Sequence, residues 1–338
     1  MSGSFARPQG IVCLLLILLA GSVHAQTETL QAGGLVLHAE IALLEMPGGR
    51  TLRLDVPPRA ELSSLAETGR GWIVAGSAPG EGSRRGLFLL TAEGPLPAPP
   101  GQQGIERREA VLLVENGTLA GLAWLEGNGG RSLSVRAAAW NGHAWQAVEP
   151  VSRPGPGSQL ALSGAVLADG SWLLAWSAFD GNDDEIVWAR RTAAGWSPAR
   201  PVSKDNSVPD ITPAVAAHGN GALIAWSRYD GESYRLHMAR LAGNTWQDEC
   251  PAAATGSIYP SFLRAADGLY LLHLNAFPRA WSVLEIGPSG RVLRRATSLS
   301  ALAERPVLGG LGEDAQGGVR LRWPSGKREA AAAWEKSP

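Results

Sequence analysis

Three oxygen-bearing side chains at alternate positions, Asp180, Asn182 and Asp184, reproduce the opening of a calcium-binding loop. The match stops there. Glu185 stands where such a loop needs a turn glycine, and Arg191 where a bidentate carboxylate would complete the coordination. Asp180-Gly181 also returns as Asp230-Gly231, and Asp-Gly pairs build turns without any metal. The sequence therefore calls for no metal or other cofactor, with calcium the one ion this spacing could serve. His38, His143, His218, His237 and His273 are scattered without ligand spacing. Neither a Gly-x-Ser-x-Gly elbow nor a glycine-rich phosphate loop occurs.

What remains is a set of charged and aromatic residues in segments that read as loops. They are Asp180, Asp184, Asp210, Arg228, Tyr229, Asp230, Tyr259 and Arg279, with Trp281 just beyond. Gathered on one face, they would form a shallow polar binding site. Tyr234 and Tyr270 fall instead in runs that read as strands. Arg84-Arg85 and Arg107-Arg108, the latter flanked by Glu106 and Glu109, read as solvated loop ends. Cys250, between Glu249 and Pro251, reads as a packed thiol at a strand end, since no histidine adjoins it.

The chain has 338 residues, 45% hydrophobic and 18% charged, which is too apolar for disorder. With 30 basic residues against 31 acidic ones, there is no electrostatic reason to expect a nucleic acid partner. Residues 1–25 read as a cleaved export leader, with Arg7, an apolar run from Ile11 to Ala20, and Val23-His24-Ala25 before the cut. That run is shorter than the roughly 20 residues that span a bilayer, and no later segment qualifies. The mature chain, 26–338, is thus expected to be one exported domain, periplasmic or secreted, without a transmembrane segment. Its single cysteine can close no internal disulfide.

A repeat organises that domain. Trp124, Trp176 and Trp226 each end an apolar run that follows Asn116-Gly117, Asp169-Gly170 or Asn220-Gly221, pairs suited to tight hairpins. The series extends to Gly76 upstream and to His273 and Trp323 downstream, with spacings of 48, 52, 50, 47 and 50 residues. Trp145, Trp196 and Trp246 keep step as a second landmark. Four short strands per period, without helical stretches, predict an all-β six-bladed β-propeller with four strands per blade. Residues of about 35–56 look like the last two strands of a blade, and the C-terminal repeat supplies only two. The N-terminal strands are therefore expected to complete the C-terminal blade and close the ring. The recurrent tryptophans are expected to pack blade on blade, whereas Trp281 lies off both landmarks and is the candidate for ligand contact.

With the repeats laid out, the chain resembles the sialidase (neuraminidase) and BNR-repeat superfamily, most clearly over 210–246 and 257–274. The family's Asp box is degenerate here. Gly243-Asn244-Thr245-Trp246 keeps its tail while Leu241 holds the aspartate position, and Trp140 does the same before Gly142-His143-Ala144-Trp145. A hydrolase of that family grips a carboxylate with three arginines and uses a Glu-activated tyrosine and an acidic aspartate. Arg305-Pro306 matches the first arginine of its Arg-Ile-Pro motif without the isoleucine, so the resemblance offers Arg305 as a catalytic candidate. It identifies no counterpart for the other two.

In a propeller, the connections between blades and those between second and third strands gather on one face. The expected function is that of an exported, monomeric, non-enzymatic propeller that binds a protein or glycan partner on those charged loops. The alternatives are a sialidase-like glycoside hydrolase and an accessory subunit of an envelope assembly.

Overall fold

The computed structural model describes residues 50–297, apart from 81–83, 92, 103, 129–132, 158, 205, 266–267 and 277–279. Short strands at 30–32, 35–38, 41–46, 319–322, 329–332 and 335–336 are described as well. The expected leader, Arg279, Arg305 and Trp323 lie outside the described residues.

Antiparallel meanders follow one another along the chain. The first joins β1 (Leu30–Ala32), β2 (Leu35–His38), β3 (Ile41–Met46) and β4 (Arg50–Asp55). The next joins β5 (Glu61–Thr68), β6 (Gly71–Pro79), β7 (Arg85–Thr91) and β8 (Gly94–Leu96). Then come β9 (Glu106–Glu115), β10 (Thr118–Gly127), β11 (Ser134–Ala139) and β12 (Glu149–Pro150). The fourth sheet holds β13 (Gln159–Val166), β14 (Trp172–Phe179), β15 (Asp184–Thr192) and β16 (Gly195–Trp196), with β17 (Arg200–Pro201) also on β15. β18 (Asp210–His218), β19 (Gly221–Tyr229), β20 (Tyr234–Ala242) and β21 (Thr245–Thr255) make the fifth. The sixth holds β22 (Ser257–Ala265), β23 (Gly268–Asn275), β24 (Ala280–Ile286) and β25 (Val292–Thr297). β26 (Val319–Arg322) pairs with β27 (Glu329–Ala332), and β28 (Glu335–Lys336) joins the edge of β25. Asn116 and Gly117 both take positive φ, as the expected tight hairpin requires.

Among the described strands, the pairing at the chain ends differs from the expected ring closure. β2 to β4 pair with one another and with β1, and β26 pairs with β27. Connections of two or three residues between β1 and β4, and of six between β26 and β27, close these local hairpins at little entropic cost. Pairing the two ends of the chain would close a loop of nearly its whole length.

Side chains alternate between the two faces of each strand, and both faces are buried. In β14, Leu174 and Trp176 pack with Leu113, Val135 and Ala137 of the preceding sheet. Leu173 and Ala175 pack with Val215, Ile224 and Trp226 of the following one. The same interlock joins Ala75 and Leu89 to Leu122 and Trp124, and Ala225 and Leu236 to Leu271 and Leu284. Trp124, Trp176 and Trp226 thus each insert against the blade before them.

The first strands of the sheets from β5 to β25 stand side by side. Ala66, Leu112, Gly164, Val215 and Phe262, one from each, line a cavity of about 250 Å³. Side chains bridge these strands: Ser64 Oγ accepts from Leu112 N at 3.1 Å, Glu109 Oε2 from Leu162 N at 2.9 Å, and Ser163 Oγ from Val215 N at 3.0 Å. Ser163→Ala would leave a buried backbone donor unpaired, so chemical denaturation should show a loss of about 1–2 kcal/mol.

Candidate ligand site at the loop end of the channel

The strand polarity puts the start of β18, the end of β19, the start of β20 and the start of β22 at one end of the channel. With them come the loops at 180–183 and 230–233, and residues 202–204 and 206–209 of the connection between β17 and β18. Asp180, Asp184, Asp210, Arg228, Tyr229, Asp230 and Tyr259 all lie at this end. They divide into three groups.

Two are turn builders. Asp180 Oδ1 accepts from the N–H of Asn182 at 2.7 Å and of Asp183 at 3.2 Å. Asp230 Oδ1 accepts from Glu232 N at 3.1 Å and Ser233 N at 2.9 Å. Those two backbone bonds, ahead of the Arg235 charge, hold the Asp230 carboxyl below the usual range. Among the described residues no three His, Cys, Asp or Glu side chains converge to hold a metal ion.

Two form an internal ion pair. Asp210, at 0% exposure, accepts from Arg228 Nε at 2.8 Å and Nη2 at 2.7 Å. The guanidinium also donates to Ser203 Oγ at 2.8 Å and to Glu249, and lies 5.5 Å over the Trp226 ring. Burial disfavours its charge, but the bonds and charge of Asp210, then Glu249, outweigh that and raise its pKa. His237 Nδ1 stands 3.4 Å from Glu249. The His237 contact first, and Arg228 after it, keep the Glu249 carboxyl below its usual range. The buried Asp210 therefore positions Arg228 and is closed to a ligand.

The third group is part-exposed. Tyr229 and Tyr234 place their rings 5.4 Å apart at 58°, and the Tyr229 hydroxyl donates to Gly231 O at 2.8 Å. Tyr259 takes φ 55° in β22, where its N–H donates to Ser227 Oγ at 3.2 Å. All three rings and Asp184 are half-buried. Burial first, then the charge of Asp184 and the neighbouring Tyr259 and Tyr229, push the Tyr234 hydroxyl up to about 12. The Asp184 carboxyl is raised as well, by burial and then by Asp180. Sequence reasoning left Tyr234 out because it is the first residue of a strand. The repeat supplied a signal, since Tyr234 occupies in its blade the place that Asp184 holds in the one before.

Four expectations are corrected. Trp281 is 3% exposed within β24, so its ring belongs to the blade core, because both faces of that strand are covered. Cys250 is exposed within β21, where burial, the first of several influences, raises its thiol pKa. Glu106 and Arg107 are buried at the start of β9, with Arg107 bonded to Glu126 at 3.1 Å and to Pro99 O at 2.9 Å. Glu109, with φ 51°, turns into the space between inner strands, where burial raises its carboxyl pKa against the Leu162 and Ala161 backbone bonds. Arg279 and Arg305 fall outside the described residues.

No protein-family model matches the chain, and no curated protein matches it. Among solved structures it is similar to a puromycin-hydrolyzing peptidase from Mycobacterium tuberculosis, at 14% identity and TM-score 0.52 over 89% of this chain and 57% of that one. A puromycin hydrolase aligns at 16% identity and TM-score 0.51, over 83% of this chain and 51% of the other. TolB from Acinetobacter baumannii aligns at 14% and 0.49, over 80% and 62%. The chain spans about half the length of the two puromycin-hydrolysing proteins. Among the described residues no helix is long and apolar enough to cross a membrane. Together with the interlocked sheets, the first two likenesses establish an all-β, propeller-like fold.

Proposed function

We propose that this chain is an exported six-bladed propeller that binds a protein or glycan partner on its loop face and performs no chemistry on it. Six successive meanders of four strands, β1 to β25, support that reading. One observation carries the binding role: Tyr229, Tyr234, Tyr259 and Asp184 stand half-exposed together, while Arg228 of the same face is committed to internal carboxylates. The sialidase-like alternative needs a tyrosine activated toward its anion. Tyr234 is shifted in the opposite direction, and Arg228 is not free to grip a substrate carboxylate.

The test pairs activity with binding. Residues 26–338 should turn over no member of a fluorogenic glycoside panel, sialosides included. On glycan arrays and envelope-protein arrays, binding should be lost in Tyr229→Ala/Tyr234→Ala and kept in Glu115→Ala/His218→Ala at the opposite mouth. Turnover abolished by Arg305→Ala would overturn the reading in favour of a hydrolase, and so would binding indifferent to the tyrosines in favour of another surface.

A further inference from the structure

We propose that Asp184, Tyr229, Tyr234 and Tyr259 form a cage for an ammonium cation, so that the partner engages this face through a positively charged alkylammonium group. The proposal rests on the loop face being the binding face. It begins with charge. Carboxylates packed around this site have partners: Arg228 pairs with both Asp210 and Glu249, and Asn206 donates to Glu185 at 3.1 Å. Among the described residues Asp184 has neither a hydrogen-bond donor nor a basic partner, although it is half-buried. Asp180 adds negative charge beside it while its own Oδ1 is taken up by the turn. A half-buried carboxylate in this state is stabilised by an incoming cation and repels an anion.

The rings supply the second half. Tyrosine faces carry negative potential, and a cation within about 6 Å of a ring centroid is attracted to it. Tyr229 and Tyr234 provide two tilted rings, with Tyr229 pinned through its hydroxyl. Tyr259 comes from the next sheet, where its N–H donates to Ser227 Oγ, so its backbone is already ordered before a ligand arrives. A neutral sugar would use the tyrosine hydroxyls as hydrogen-bonding groups; an ammonium group uses the rings. That difference is measurable.

Choline and its neutral isostere 3,3-dimethyl-1-butanol are titrated into residues 26–338 and followed by calorimetry and NMR. Choline should bind about tenfold more tightly than the alcohol, and Asp184→Asn should remove that margin. Tyr234→Phe, which keeps the ring, should bind choline within about twofold of the parent, whereas Tyr234→Leu should weaken it about tenfold. Equal affinity for alcohol and choline overturns the cage, as does equal loss in Tyr234→Phe and Tyr234→Leu, or no choline binding at all. If the cage fails while array binding still depends on Tyr229 and Tyr234, the loop-face reading stands with a neutral ligand. Array binding independent of both tyrosines removes the broader reading too.

Discussion

Arg228→Ala should destabilise the protein by about 3–5 kcal/mol, the range seen when one partner of a buried ion pair is removed. The reason lies in what stays behind. Asp210 is fully buried, and both its oxygens are held by the guanidinium. Among the described residues, the side-chain donor left to Asp210 without Arg228 is Ser203 Oγ, at 3.4 Å from Oδ2. Glu249 would lose its strongest cation at the same time, and Trp226 its cationic cover. The double variant Asp210→Leu/Arg228→Met removes both charges and retains much of the volume, so it should recover most of the loss. Urea denaturation of the two variants supplies the measurement. A single variant within about 1 kcal/mol of the parent, or a double variant as unstable as the single, would show that solvent already screens this pair.

The same device recurs with its charges exchanged. Arg107 at the start of β9 meets Glu126 on β10 and lies 5.6 Å over Trp124, as Arg228 on β19 meets Asp210 and lies over Trp226. Trp124 and Trp226 therefore each pack against the preceding blade and carry an arginine near the loop end of their own. This explains what sequence could and could not reveal. Turn dipeptides and tryptophan spacing are set by local geometry and repeat visibly, so the meanders and the loop face were legible. A swapped ion pair preserves the physics while changing both letters, which hid Arg107 and Glu126 and left Arg107 reading as solvated. Trp281 was misplaced for a related reason: lying off a landmark does not expose a residue when both faces of its strand are covered. Tyr234 was missed because it opens a strand, although strand ends are where a blade presents side chains to the loop face. Pairing at the chain ends is decided by loop closure, which periodicity does not encode.

His273 replaces the landmark tryptophan of its blade, and the substitution should make stability depend on pH. It sits on β23 at 2% exposure, and the alternation that turns Leu271 toward Leu223 and Ala225 turns His273 toward the same preceding blade. Neither ring nitrogen completes a hydrogen bond of good geometry among the described residues. Burial first, and then the Arg295 charge, lower its pKa to about 3, against a small opposing pull from the Leu274 backbone. An unfolded histidine titrates near 6.5, so below that pH the unfolded chain takes up a proton that the folded chain refuses. The contribution is complete above about pH 6.5 and drains away as pH falls toward 3, reaching a loss of about 2 kcal/mol at pH 5. Other groups titrate over the same range, but they are common to parent and variant. His273→Trp, which restores the residue found at 124, 176 and 226, should therefore gain about 2 kcal/mol on its parent between pH 7.5 and pH 5. His273→Leu should show the same differential if tryptophan overpacks the site, because removal of the titrating ring, and not the shape of its replacement, sets the pH slope. Parallel stability profiles for parent and both variants would mean that the imidazole is hydrated in the fold and titrates as it does in the unfolded chain.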